Sequence, residues 1–171
     1  MSTLDLIYVT TGRHPELEAL ICKTSNSQFS HAAVGFEMDG RQVVVEAVRP
    51  AIRFAPVGEF DGVPALQVIS LPITEDQRQA VVSKALELVG KVYGVDDCII
   101  GGVHDLLGDA AAGIADRLLD NSNTLDCSAT QVEIARAAFP DFAEGADAST
   151  ITPEQARQIA LAYAERLGVA V

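Results

Sequence analysis

Two β-rich runs flank Asp39-Gly40 within Phe29–Val48 (FSHAAVGFEMDGRQVVVEAV). Asp-Gly is favoured in two-residue type I′ turns, whose central residues both need positive φ, so the stretch predicts a β-hairpin. Closing the turn with Met38 opposite Arg41 sets Phe36 against Val43, Val34 against Val45, Ala33 against Glu46 and His31 against Val48. Ala32, Val34, Phe36, Val43, Val45 and Ala47 then make an apolar layer on one face. His31 and Glu46 become diagonal neighbours on the other, at a Cα separation of roughly 7–8 Å that long side chains bridge. A one-residue change in loop length would turn Glu46 to the opposite face.

Before the hairpin, Leu4–Thr10 (LDLIYVT) reads as a first strand ending at a Thr-Gly turn. His14-Pro15 opens a short helical pattern, PELEALICK, with Leu17, Leu20 and Ile21 on one face. The polar stretch Lys23–Ser30 is a connecting loop. After the hairpin, Ala51–Pro56 and Ala65–Leu71 predict two more strands around a Gly58–Pro64 turn region, giving a mostly antiparallel sheet of five. At Thr74 the period changes. TEDQ forms a capping box, and Ala80, Val81, Ala85, Leu88 and Val89 recur at helical spacing until Gly90.

The glycine-rich segment GKVYGVDDCIIGGVHDLLG reads as a loop followed by broken helix, and Ala110–Leu119 continues in helical form. Asp120–Asp126 (DNSNTLD) is rich in turn formers and N-caps. Beyond it Ala129, Val132, Ala135, Ala138 and Phe139 make an amphipathic stripe. Asp141–Ser149 is an acidic, Ala/Gly-rich loop. TPEQ then caps a closing helix over Gln155–Leu167 with proline at its first position. No repeat or linker divides the chain, so the expectation is one α+β domain spanning residues 1–171.

Composition narrows the function classes. The 171 residues are 49% apolar, enough for a compact core without staples. Net charge is −12, from 24 acidic against 12 basic residues, which disfavours phosphate-rich partners: neither nucleic acid nor an anionic membrane is expected. The three cysteines, Cys22, Cys98 and Cys127, are an odd number without C-x-x-C spacing. This argues against a disulfide framework or structural zinc, and no cofactor is expected. No run approaches the ~20 apolar residues of a spanning helix and no export signal is recognisable, so the expectation is a cytoplasmic protein.

Three residues carry candidate chemistry. Cys127 falls in the first turn of its helix, where unpaired backbone N–H groups and the macrodipole stabilise a thiolate. Asp126 opposes this if its carboxylate faces the sulfur instead of capping the helix. His31 supplies a base, and Glu46 can fix its tautomer and stabilise its cation. Each also has a structural reading: a satisfied strand-end histidine, a solvated strand glutamate, a buried cysteine. Cys22 and Cys98 read as packed residues, and His104, beside Asp105, as a helix-surface histidine. A zinc site from Cys127, His31 and Cys98 has no supporting spacing.

SHAAVGFEMDGRQVVVEAV resembles the His strand and following Glu strand of the circularly permuted, YiiX-like branch of the NlpC-type papain-like cysteine hydrolases. DLIYVTTG is similar to that family's opening strand, GKVYGVDD to its Gly-x-x-Tyr segment, and DCSATQVEIARAAF to its cysteine helix. The order His, Glu, Cys is the permuted one. The resemblance implies a papain-like sheet packed on helices, with Cys127 as nucleophile, His31 as general base and then acid, and Glu46 orienting His31. It also implies that Tyr93 lines the substrate cleft. The expected activity is hydrolysis of an amide bond in a peptide or acyl-amide through a thioacyl intermediate. Acyl transfer or lipid esterase chemistry on the same triad is the alternative within enzymes, and a non-catalytic binding or assembly module the alternative outside them.

Overall fold

The computed structural model describes residues 2–13, 15–48, 50–91 and 126–170. The predicted Tyr93 contact, Cys98, His104 with Asp105, and the helical stretch Ala110–Leu119 lie outside the described residues.

The architecture is α+β. Five strands, β1 (Ser2–Thr10), β2 (His31–Met38), β3 (Arg41–Val48), β4 (Ala51–Ala55) and β5 (Ala65–Ile73), form one sheet in the order β4-β3-β2-β1-β5. Every pairing is antiparallel, where the sequence predicted a mostly antiparallel sheet. The hairpin register is the predicted one from Met38↔Arg41 to Ala33↔Glu46. Asp39 and Gly40 both take positive φ, 50° and 73°, as a type I′ turn demands. β5 runs two residues beyond its predicted end, because β1 itself begins at Ser2 and pairs Ser2 with Ile73.

Four described helices accompany the sheet: α1 (Pro15–Thr24), α2 (Glu75–Leu88), α3 (Cys127–Ala138) and α4 (Pro153–Arg166). Both capping boxes form, Thr74 with Gln77 and Thr152 with Gln155. Alternation along the strands sorts the apolar side chains between two faces. Leu4, Leu6, Tyr8, Ala32, Val34, Phe36, Val45 and Ala47 join residues of α2, α3 and α4 in the main core. Val43, predicted for this layer, is only half-buried, near the turn of the hairpin. Ile7, Val9, Ala33, Val44, Ala55 and Phe60 form a smaller cluster of opposite parity.

Two braces bear on the site. The loop entering β2 is tied to the first turn of α4: the Ser27 hydroxyl donates to Glu154 at 2.7 Å and accepts from Phe29 N–H, and Arg157 stacks over the Phe29 ring. After β1, the buried carboxylate of Glu18 accepts from the Thr11 hydroxyl and from Gly12 N–H. That fixes the turn presenting Arg13.

Candidate active site

Position along the sheet brings the site together. Glu46 lies diagonally across the β2–β3 ladder from His31, and the imidazole Nε2 meets Glu46 Oε2 at 3.1 Å. Cys127 opens α3, which packs against β2 and β3, and its thiol lies near enough to the His31 ring to influence its titration. With Nε2 engaged by Glu46, Nδ1 is the ring nitrogen left for the sulfur. The three sequence-predicted residues therefore come together, with the imidazole hydrogen-bonded to the carboxylate and the thiol beside the ring.

Asp126 resolves its two possible roles in favour of capping. Its backbone is extended, and Oδ1 accepts from Ala129 N–H at 2.6 Å, so one carboxylate oxygen is spent on the helix start. Thr130 returns its hydroxyl to Asp126 O, tightening the same turn. Cys127 is buried, in contact with the main core, and the Ser128 hydroxyl lies 4.0 Å from its sulfur.

Partners outweigh burial in the electrostatics of the site. Glu46 is fully buried, and burial disfavours its ionised form. Hydrogen bonding and charge from His31, followed by the same contributions from Arg53, overcome this and hold its carboxyl below the ordinary value. Burial likewise pushes the His31 imidazole down. The neighbouring Cys127 and the hydrogen bond and charge of Glu46 outweigh it and raise the ring from 6.5 to about 9. Phe60 closes over the ring edge-on, with centroids 6.2 Å apart.

Four residues of the site escaped the sequence reading. Arg53 stands opposite Glu46 in the β3–β4 register and donates to Oε1 from Nε at 3.0 Å and Nη2 at 2.6 Å. Glu59, in the short 3-10 turn Val57–Phe60, takes bonds of 2.6 Å from both Arg53 and Arg13. Arg13 also approaches Glu46 Oε1 at 4.0 Å. Gln131, one turn after Cys127, is wholly buried and donates to the carbonyls of Ala33 and Ile7 at 2.8 and 3.3 Å, riveting the cysteine helix to the strands beside His31. An opposite-charge cross-strand pair at Glu46 and Arg53 was the available signal. Arg13, Glu59 and Gln131 had none.

Among the described residues, no helix is long and apolar enough to cross a membrane.

No family model matches the chain, and no curated protein matches it in sequence. Among solved structures it is similar to the metalloprotein YiiX of Escherichia coli O157:H7, DUF1105, with a TM-score of 0.57 at 15% identity over 81% of this chain. The match spans 66% of the YiiX chain, just under two thirds of its length. The likeness is one of fold.

Proposed function

We propose that this chain is a cysteine-dependent hydrolase of amide bonds in a peptide or acyl-amide, with Cys127, His31 and Glu46 as its triad. One observation carries the reading: a thiol at a helix N-terminus comes together with an imidazole that is hydrogen-bonded to a fully buried carboxylate. The YiiX-like fold supports it as a fold.

Cys127 gives its proton to His31 and attacks the carbonyl carbon through Sγ. The electron pair moves to oxygen, and the oxyanion lies against the Cys127 backbone N–H at the helix start. His31 gives its proton to the leaving amine as the C–N bond breaks, leaving a thioacyl enzyme. Water then attacks with His31 taking its proton, the acid departs, and the thiol is restored. Glu46 keeps the ring oriented and stabilises its cation throughout. An acceptor other than water in the second half makes the same cycle an acyl transfer.

The E. coli neighbour is described as a metalloprotein. Among the described residues here, no group of three or more His, Cys, Asp or Glu side chains is placed to hold a metal ion. Glu46 already holds a guanidinium on one oxygen and the imidazole on the other. These residues do not fit a metal, and no step passes through one.

The test is intact-mass and peptide mass spectrometry after incubation with amide, ester and thioester reporters. The reading requires an acyl adduct on Cys127 that decays to free acid and is absent from Cys127→Ala. Persistent absence of any adduct across the reporters makes the chain a binding module, and decay only when an amine or alcohol acceptor is added makes it a transferase.

A further inference from the structure

Behind the triad, paired charges run outward from a wholly buried carboxylate. Glu46 is faced by His31 from β2, by Arg53 from β4 and, more distantly, by Arg13 from the turn after β1. Arg53 is faced by Glu46 and Glu59; His31 is faced by Cys127 from α3 and by the Phe60 ring. A carboxylate without access to water requires charged or hydrogen-bonding partners to remain ionised. Of the two arginines, only Arg53 makes hydrogen bonds to it, and both go to Oε1.

We propose that Arg53 is a positioning residue for the His31–Glu46 pair, its two-pronged hold on Oε1 fixing the carboxylate so that Oε2 faces the imidazole, with Glu59 holding Arg53 in turn. The inference rests on the reading that Glu46 orients His31. Geometry supports it in two ways. Arg53 and Glu46 are direct cross-strand partners, so backbone register sets the approach. The same Nη2 that donates to Glu46 also donates to Glu59, which also binds Arg13, and Arg13 sits in the turn braced by Glu18. The Arg53 side chain is 45% exposed while its head group reaches a fully buried acid, so the residue joins the rim to the interior.

Arg53 favours the charged form of Glu46. Without it the carboxylate takes up a proton at higher pH, and a neutral Glu46 no longer supports the imidazolium. On the alkaline side Glu46 stays ionised, so loss of Arg53 does not lower the histidine. A bystander on the sheet would alter stability and leave these titrations in place.

The experiment follows the Glu46 carboxyl by carbon-13 NMR and Cys127 alkylation by mass spectrometry, against pH, in the native protein, Arg53→Gln and Arg53→Lys. In Arg53→Gln the Glu46 midpoint should rise by about one pH unit or more, with the acid limb of alkylation moving the same way. Arg53→Lys, which keeps the charge, should stay close to the native midpoint. A folded Arg53→Gln with an unmoved midpoint overturns the proposal. Should that variant not fold, the Arg53 Nε–H resonance of the native protein must track the Glu46 titration, and an unresponsive resonance overturns it equally. If Cys127 reacts as an ordinary thiol in the native protein while the Glu46 midpoint still moves, the hydrolase reading fails and the role of Arg53 in holding Glu46 stands.

Discussion

The two faces of the sheet are buried by different means. On one, Leu6, Val34, Phe36 and Val45 meet Val81, Val132 and Ala160 of the helices, and the contact is apolar. On the other, the apolar cluster around Ile7 and Val44 lies beside a fully buried carboxylate and its charged partners. Apolar burial is non-directional and tolerates exchange of shape for shape. A buried ion network depends on each member, because removing one leaves another unpaired in a place water does not reach. Substitutions in the apolar layer of the helix face, Cys127 apart, should therefore change stability with little effect on chemistry. Those on the site face should change the pH behaviour of the thiol first.

The largest effects separate the two faces most cleanly. Cys127→Ala should abolish acyl-enzyme formation and lower turnover of a responsive reporter by about 10³-fold or more, with thermal melting near that of the native protein. Phe36→Ala, in the middle of the helix face, should cost about 3–5 kcal/mol in denaturant unfolding. Its folded fraction should keep the native pH profile of Cys127 alkylation. A changed profile there would break the division between faces.

Glu46→Gln sharpens the division, since it preserves shape and removes charge. The histidine is raised to about 9, so its contribution to stability is complete below its ordinary value of 6.5 and is lost as pH rises through about 9. In Glu46→Gln that loss should come at lower pH, making the variant weaker at pH 7 than native. Glu46, whose carboxyl is held low, contributes fully above its ordinary 4.5, and this is lost as pH falls through its folded value. Native protein should accordingly weaken in acid more steeply than Glu46→Gln. Chemical denaturation of both proteins between pH 3 and 10 measures each limb.

Asp126→Ala gives the smallest expected change. Loss of the cap on α3 should cost about 1 kcal/mol by thermal unfolding, while Cys127 remains within reach of His31.

What could be read from the sequence follows the range of the interactions. The hairpin was legible because Asp39-Gly40 sets its own register, and register alone decides that His31 and Glu46 share a face. The starts of α2, α3 and α4 were legible because Thr74, Asp126 and Thr152 cap their own helices within three residues. Arg53 was within reach, as a direct cross-strand partner of Glu46, yet a charged residue on a short strand reads as solvated until its partner is known to be buried. Arg13, Glu59 and Gln131 act through side chains that meet only after the sheet and α3 assemble. The same holds for the brace from Glu154 to Ser27, which spans most of the chain.

The most direct test of the central claim is the alkylation rate of each cysteine against pH, by mass spectrometry, in the native protein and in His31→Ala. The account predicts that Cys127 reacts below pH 7 in the native protein and loses that reactivity when His31 is removed, while Cys22 behaves alike in both. A Cys127 that reacts as an ordinary or inaccessible thiol in both proteins would contradict it.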